Sequence, residues 1–209
     1  MIVLPRLYPI LDAGCFPNTL GLITAAEELV SAGATLIQYR NKSGDARAML
    51  EQARELRRQL RAQAPAPHVR LIMNDRADLC ILADFDGVHV GQDDLSPESV
   101  RRIIGPDRWL GVSTHNPEQL LEADQTSADY LAIGPVFSTF SKDRPDPVVG
   151  LEGMRRTRQL TRKPLVAIGG ITRANAASVI EAGADSVAVI SDLLRDPGKS
   201  AEEFFRILR

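Results

Sequence analysis

The chain repeats one short pattern: the end of a helix, a turn containing glycine or aspartate, and then a short apolar run. The pattern occurs in SAGATLIQYR, LADFDGVHVG, TSADYLAIGP and EAGADSVAVIS. Gly33 and Gly183 stand where a helix C-terminus favours a residue with positive φ. The apolar runs are continuous, which is typical of strands covered on both faces. The pattern therefore predicts a buried parallel sheet.

Helical periodicity fills the intervals between these runs. Apolar residues of segment 45–63 recur at helical spacing, and Asp45 is a suitable N-cap for them. Similar patterns predict helices over residues 18–32, 97–104, 116–123, 151–160 and 174–182. Strands that alternate with helices indicate β/α units and a parallel sheet.

The number of strand candidates then selects the architecture. They lie near residues 6–11, 35–40, 70–74, 86–90, 109–113, 129–133, 164–168 and 186–190. Eight β/α units in 209 residues predict an α/β protein that forms one TIM (β/α)8 barrel domain over residues 1–209. An open doubly wound sheet is the alternative. The widest irregular segment, 138–150, follows the sixth strand and is a candidate lid.

Composition narrows the functional classes. A net charge of −2 and a pI of about 6.0 give no sign of a broad nucleic-acid surface. Cys15 and Cys80 are too few for a disulfide framework and fit no zinc motif, so we expect free thiols and a cytoplasmic protein. Pro5, Arg6 and Pro9 interrupt the apolar N-terminus, which predicts a first strand and neither a signal peptide nor a membrane anchor.

Charged side chains gather where the early strands end, which in a barrel is the active-site rim. Gln38, Arg40 and Lys42 alternate along the second strand end, so they share one side of the chain. Two cations in one cleft imply a multiply charged anion. Asp75 and Asp94 follow the next two strands, and such a carboxylate pair suits Mg²⁺ bridging to a phosphate.

Simpler roles stay open for these residues. The cationic triplet could be a solvated strand end, and Asp75 could cap a helix over residues 76–82. We interpret Asp93, beside Asp94, as a turn residue.

The later strand ends predict a second anion site. Hydroxyls and a lysine at Thr139, Ser141 and Lys142 suit phosphate oxygens. The later loops contribute Gly169 and Gly170, together with the backbone amides of Ile190 and Ser191, which we expect to open a short helix. Loops after strands seven and eight form the recurrent barrel phosphate site. The rim thus pairs a cationic, metal-assisted site for a diphosphate with a backbone-built site for a monophosphate.

Seven stretches together resemble the thiamin phosphate synthase family. They are QYRNK, NDRADL, DGVHVGQDD, GVSTH, GPVFSTFSK, VAIGGI and VAVIS, in this order. The resemblance implies a TIM-barrel transferase that requires Mg²⁺. Such an enzyme joins 4-amino-2-methyl-5-(diphosphooxymethyl)pyrimidine to 4-methyl-5-(2-phosphooxyethyl)thiazole, and it releases thiamin phosphate and pyrophosphate.

The resemblance also implies roles for individual residues. The pyrimidine diphosphate would contact Gln38, Tyr39, Arg40, Asn41, Lys42, Asn74, Ser113 and Lys142. Of these, Arg40, Lys42, Ser113 and Lys142 are the expected catalytic groups. The thiazole phosphate would contact Thr139, Phe140, Ser141, Gly170, Ile190 and Ser191. Mg²⁺ would bind Asp75 and Asp94. The family usually has threonine where this chain has Ser141, and the hydroxyl is kept.

The implied reaction is a dissociative substitution. The diphosphate leaves first, and the thiazole nitrogen then attacks the pyrimidinylmethyl cation with a lone pair, so no general base is needed. The implied partners are two small molecules, with neither nucleic acid nor membrane, and a homodimer is left open.

Two other functions stay open. A thiazole tautomerase of the same fold would use His115 for proton transfer, and a non-catalytic sensor would only bind a phosphorylated ligand. The complete set of cations and carboxylates argues against both. We expect His89 to be a structural histidine and His68 to be solvated.

Overall fold

The computed structural model describes residues 2–62, 69–139 and 147–209. Its eight strands close into a barrel in sequence order, and the last strand pairs in parallel with the first. The strands are β1 Leu7–Asp12, β2 Leu36–Arg40, β3 Arg70–Asn74, β4 Gly87–Val90, β5 Trp109–Thr114, β6 Tyr130–Ile133, β7 Leu165–Ile168 and β8 Ser186–Val189. The predicted TIM barrel is confirmed, and the doubly wound alternative is excluded.

Helices alternate with the strands around the outside. A short 3₁₀ helix, Ala13–Cys15, follows β1, and the α-helices are α1 Thr19–Ser31, α2 Ala46–Ala62, α3 Ala77–Leu82, α4 Pro97–Ile104, α5 Pro117–Asp124, α6 Gly150–Leu160, α7 Ala176–Glu181 and α8 Pro197–Ile207. Asp45 caps α2 as predicted, because its Oδ1 accepts the Arg47 and Ala48 amides at 3.0 and 3.1 Å. No helix in the described part of the chain is long and apolar enough to cross a membrane.

One local prediction is wrong: Ile190 and Ser191 begin a run of turns, and the next helix is α8, which the sequence reading missed. The alternative role of Asp75 as a helix cap is excluded, because Arg76 occupies the N-cap position of α3. Asp75 has a positive φ of 61°, a backbone conformation that only a few per cent of non-glycine residues adopt.

Strand alternation divides the core into two layers. One layer lies between the strands and the helices, and it includes Leu11, Ile37 and Tyr39. The other fills the inside of the barrel, where Tyr8 and Tyr130 pack among aliphatic side chains. Side chains therefore fill the barrel interior, and we expect ligands to bind at the C-terminal ends of the strands.

The recurring aspartate of the repeated pattern builds the N-terminal rim of the barrel, which we call the lower rim. Asp86, Asp129 and Asp185 each precede a strand, and each Oδ2 accepts the backbone N–H of Leu71, Leu110 or Leu165 on the neighbouring strand, at 2.8 Å in every case. The same oxygens pair with arginines of α2, α4 and α6, the helices that precede the neighbouring strands. The pairs are Arg57 with Asp86 at 2.9 Å, Arg101 with Asp129 at 2.7 Å and Arg158 with Asp185 at 2.8 Å. The repeat thus encodes strand registration.

Candidate active site

The opposite rim, at the C-terminal ends of the strands, carries a second set of ion pairs. Arg40, at the end of β2, pairs with Asp12 at the end of β1. Lys42 Nζ lies 2.5 Å from Asp75 Oδ2 and its side chain is 54% exposed. Strand order brings these groups together, because β1, β2 and β3 are consecutive neighbours in the barrel. The predicted cationic cluster is present, and each cation has a carboxylate partner.

The two predicted metal ligands are electrostatic neighbours. Burial and the neighbouring Asp75 carboxylate raise the pKa of Asp94, whose Oδ2 accepts the Gly91 amide at 2.7 Å. Neighbouring carboxylates repel each other when both are ionised, and a divalent cation between them would remove the repulsion.

The donor set fits a hard divalent cation such as Mg²⁺. The described residues contain no group of three or more His, Cys, Asp or Glu side chains that could hold a metal ion. Mg²⁺ commonly takes one or two carboxylates and completes its octahedron with water and substrate phosphates. Asp75 and Asp94 meet that requirement.

A buried donor in the same place has no partner. Asn74 ends β3, and its Nδ2 is buried without a hydrogen bond among the described residues. A buried donor left unpaired costs roughly 1–3 kcal/mol. The amide is therefore expected to donate to a ligand, in agreement with its predicted role.

A chain of buried hydrogen bonds crosses the barrel beneath these charges. Gln38 Nε2 donates to the Tyr8 hydroxyl at 3.1 Å, and the hydroxyls of Tyr8 and Tyr130 are 2.9 Å apart. The Tyr130 hydroxyl lies 3.1 Å from His89 Nδ1, and His89 Nε2 lies 2.8 Å from Ser113 Oγ. Two predicted site residues, Gln38 and Ser113, are thus connected through the interior.

The environment of this chain keeps its members uncharged. Burial lowers the pKa of His89 to about 4, against a weaker opposing effect of Asp94. Burial likewise raises the pKa of Tyr8 and of Tyr130 above the usual value. His89 is structural as expected, but its contact with Ser113 ties it to the site.

The phosphate side of the rim is built differently. Gly170 has a φ of 64°, and a Cβ there would lie 2.5 Å from the Ser138 carbonyl oxygen, so only glycine fits. Asn175 Nδ2 donates to the Gly170 carbonyl at 3.0 Å. Ile190 and Ser191 follow β8 and are accessible. Loop backbone, rather than side-chain charge, dominates this side.

One arginine ties the two loops of this side together. Arg173 donates its backbone N–H to Asp192 Oδ2 at 2.9 Å, and its guanidinium contacts both oxygens of Asp192. The same guanidinium contacts Glu203 of α8 at 2.5 Å. Although partial burial opposes it, Arg173 lowers the pKa of Asp192. Asp192 immediately follows Ser191, so Arg173 links the loop after β7 to the loop after β8.

Two predicted contact residues lie elsewhere. Tyr39 is fully buried on the outer side of β2, where its hydroxyl donates to Gln52 of α2 at 2.7 Å. The amide of Asn41 donates to Tyr39 and Gln52 at 3.1 and 3.2 Å. The alternation that turns Gln38 and Arg40 inward turns their neighbours outward, so these two side chains are removed from the predicted site.

The remaining predictions have mixed outcomes. Thr139 is half-buried at the edge of the described segment, and Phe140, Ser141, Lys142 and most of the candidate lid lie outside the described residues, as does His68. His115 Nδ1 lies 2.7 Å from the Gly134 carbonyl, so that nitrogen is a donor. Neither cysteine forms a disulfide, as predicted.

The sequence reading missed four contributors to the site. Asp12, Tyr8, Tyr130 and Arg173 belong to no charged motif that it singled out. Gly111 offered a signal for one of them, because a Cβ there would lie 2.2 Å from Tyr130 and 2.4 Å from His89. A glycine inside a strand often marks such a close approach.

The fold is that of a TIM-barrel protein whose active-site rim carries a cationic cluster and a glycine-containing loop region, and comparisons specify the family. Residues 7–193 match the family model described as thiamine monophosphate synthase. A thiamine-phosphate synthase of Koribacter versatilis is 62% identical over 208 residues, covering 98% of this chain and 96% of that protein. One from Chloroflexus aurantiacus is 46% identical, with 89% and 83% covered.

Solved structures agree with the sequence comparisons. The thiamine phosphate pyrophosphorylase of Pyrococcus furiosus superposes with a TM-score of 0.84 at 34% identity, covering 97% of this chain and 95% of that chain. The tryptophan synthase α subunit of Legionella pneumophila shares only the fold, with a TM-score of 0.71 at 19% identity, covering 97% and 92%. The chain therefore belongs to the thiamine monophosphate synthase family, whose relatives named above are transferases.

Proposed function

We propose that this protein is a thiamin phosphate synthase. It couples 4-amino-2-methyl-5-(diphosphooxymethyl)pyrimidine to 4-methyl-5-(2-phosphooxyethyl)thiazole, and it releases thiamin phosphate and pyrophosphate. The observation that carries the proposal is the arrangement of Lys42, Asp75 and Asp94 beside the unpartnered amide of Asn74. Membership of the family supports the same assignment.

Arg40, Lys42 and Asn74 grip the diphosphate. All three are hydrogen-bond donors at the ends of adjacent strands, and the two cations oppose the charge of the leaving group. Hydrogen bonds between charged partners are roughly twice as strong as neutral ones. The carboxylates of Asp12 and Asp75 keep the cations in place when no substrate is bound.

Asp75 and Asp94 hold Mg²⁺. Bound Mg²⁺ would neutralise charge that develops on the departing diphosphate oxygens. The positive φ of Asp75 directs this residue away from the strand path, and the Asp75 backbone N–H donates to the His89 carbonyl at 2.7 Å. This backbone bond fixes the position of the first ligand.

Gly170, Ile190 and Ser191 bind the thiazole phosphate through backbone amides. This phosphate stays on the product and develops no new charge during the reaction. Its site therefore has to position the phosphate and needs few charged side chains. Thr139, Phe140 and Ser141 complete this site, and Lys142 stabilises the leaving diphosphate, by resemblance to the family.

The chemistry requires no general base. The diphosphate leaves from the pyrimidinylmethyl carbon, and the electron-rich ring stabilises the cation that remains. The thiazole nitrogen attacks with a lone pair and has no proton to lose. The uncharged His89 and Ser113 therefore position groups around the substrate, and neither has to accept a proton from it.

A coupling assay tests the proposal. Purified protein is mixed with both substrates and Mg²⁺, with a matched EDTA control, and thiamin phosphate and pyrophosphate are followed together. We expect equal amounts of both products, and none with EDTA. If neither product forms while both compounds bind, the synthase proposal is wrong. An isomerisation assay on the thiazole would then test the tautomerase, with a sensor as the remaining outcome.

A further inference from the structure

The buried hydrogen-bond chain beneath the charged rim has a defined direction. It runs through Gln38, Tyr8, Tyr130, His89 and Ser113, with separations of 3.1, 2.9, 3.1 and 2.8 Å. Each inner hydroxyl has a single proton, so it donates to one neighbour and accepts from the other. If every inner proton is used within the chain, two arrangements of protons remain, and they run in opposite directions.

Gln38 selects between the two directions. Its Nε2 is a donor only, so the Tyr8 oxygen accepts from it. The Tyr8 hydroxyl is buried, and Tyr130 is its acceptor among the described residues, so we direct the Tyr8 proton to Tyr130. The Tyr130 proton then goes to His89 Nδ1, which makes Nδ1 an acceptor. A neutral imidazole with an accepting Nδ1 has its proton on Nε2, and this N–H donates to the Ser113 oxygen.

We propose that Gln38, Tyr8 and Tyr130 are positioning residues that hold His89 as the Nε2–H tautomer, and that this tautomer reserves the Ser113 hydroxyl proton for the ligand. Ser113 Oγ accepts from His89, so its own proton points out of the chain. Ser113 becomes a dedicated donor, which suits an anionic oxygen. This use of the donor rests on the proposed function, but the direction of the chain does not.

Packing holds the contact between Tyr130 and His89 in a fixed geometry. Both rings are buried and their centroids are 5.5 Å apart. The space for the contact exists because residue 111 is glycine, since a Cβ there would lie 2.4 Å from both the Tyr130 hydroxyl and His89 Nδ1. The missing side chain at Gly111 of β5 thus makes room for the hydrogen bond between Tyr130 and His89.

The tautomer can be read by ¹⁵N NMR on protein with labelled histidine, without any substrate. The two ring nitrogens of His89 are assigned by the loss of their signals in His89→Gln. We expect one protonated and one unprotonated nitrogen, with the proton on Nε2. A proton on Nδ1, or protons on both nitrogens, at neutral pH would overturn the proposal.

Two substitutions of Gln38 test what sets the direction. At pH 8, Gln38→Glu offers only acceptor oxygens, so we expect the chain to reverse and the His89 proton to move to Nδ1. Gln38→Met removes the terminal donor and should give a mixture of tautomers. A change in either variant supports the proposal. Pure Nε2–H in both would show that Gln38 does not set the direction, which contradicts it.

A kinetic cycle tests the consequence for Ser113. Tyr130→Phe should lower kcat/KM for the pyrimidine diphosphate about fivefold, the effect of weakening one hydrogen bond, and leave KM for the thiazole phosphate unchanged. In a Ser113→Ala background the same change should have no further effect, because the chain acts through Ser113. Additive losses would assign Tyr130 a merely structural role.

Tyr39→Phe is the matched control for the NMR experiment. Tyr39 is an equally buried tyrosine whose hydroxyl bonds with Gln52, outside the chain, so the His89 tautomer should stay as in the wild type. If the expected tautomer is found but the coupling assay gives no product, the proposed function fails and the chain stands. If product forms but the His89 proton is not on Nε2, the proposed function stands and the proposed direction of the chain fails.

Discussion

The two rims of the barrel use the same residue types for different purposes. On the lower rim, Asp86 accepts both a strand amide and Arg57, and Arg57 also donates to the Asp84 carbonyl at 2.8 Å. On the active-site rim, Arg40 donates to Asp12 and to no other group among the described residues. The Arg57 side chain is 8% exposed, whereas that of Lys42 is 54% exposed.

This difference teaches how to separate structural from functional ion pairs. An arginine whose donors already bind backbone carbonyls has little to offer a ligand, and its loss removes a cation from a largely buried carboxylate. A cation with one carboxylate partner and open donors can exchange that partner for a phosphate. The lower rim should therefore govern stability, and the active-site rim should govern activity.

The largest effect is expected from Asp94→Ala. Loss of one metal ligand should reduce the coupling rate about 10³-fold or more, because charge on the leaving diphosphate loses its stabilisation. Steady-state turnover at saturating Mg²⁺ measures the effect. Asp93→Ala, an exposed carboxylate in the same loop, is the control and should retain activity. Full activity in Asp94→Ala would remove Asp94 from the metal site.

Arg57→Met should instead lower stability. It removes the Arg57 guanidinium from the largely buried Asp86 carboxylate and from the Asp84 carbonyl, which we expect to cost about 3 kcal/mol of unfolding free energy. KM values should not change. Urea unfolding measures the loss, and Arg47→Met is the control, because the Arg47–Glu51 pair on the same helix is exposed and contributes about 0–0.5 kcal/mol. Equal unfolding free energies of the two variants would contradict the claim that the lower rim governs stability.

His89 predicts a pH dependence of stability. Its pKa is about 4 in the folded protein against 6.5 for the free side chain, so the unfolded chain binds the proton first as pH falls. Stability contributed by this group is complete above pH 6.5 and is lost as pH falls towards 4, by about 3 kcal/mol in total. Unfolding curves of wild type and His89→Gln should diverge over that window, and parallel curves would contradict the assignment.

Arg173→Met should have the smallest effect. The loops that carry Gly170 and Ser191 would lose the link through Asp192. We expect KM for the thiazole phosphate to rise about threefold to tenfold, as when charged hydrogen bonds are lost, while KM for the pyrimidine diphosphate stays constant. Arg206→Met, an exposed change on α8, is the control. Equal changes in both KM values would mean that Arg173 supports the whole rim.

Much of the fold could be predicted because periodicity and turns are local signals. The helix boundaries of α1, α2 and α4 agree with the predictions within one residue. Helix α8 was missed because Gly198 and Ser200 weaken its pattern, although Pro197 at its start is a common helix signal. The turns after β8 were predicted to be a helix because the recurrent phosphate site of such barrels includes a helix N-terminus at this place.

The site could be predicted where charge alternates along a strand, as at Arg40 and Lys42. It could not be predicted where the partners are far apart in the sequence. Asp12 pairs with Arg40 across 28 positions and Tyr8 reaches Tyr130 across 122, and neither contact leaves a local pattern. Tyr39 was included because it lies between Gln38 and Arg40, but alternation along the strand turns its side chain to the opposite face.

Binding of pyrophosphate tests the central claim most directly. Isothermal titration of the product into wild type, Lys42→Met and Arg57→Met, each with and without Mg²⁺, compares the two rims in one experiment. We expect Mg²⁺-dependent binding in wild type and in Arg57→Met at a temperature where both are folded, and at least tenfold weaker binding in Lys42→Met. Equal affinity in wild type and Lys42→Met would show that the active-site rim does not grip the diphosphate.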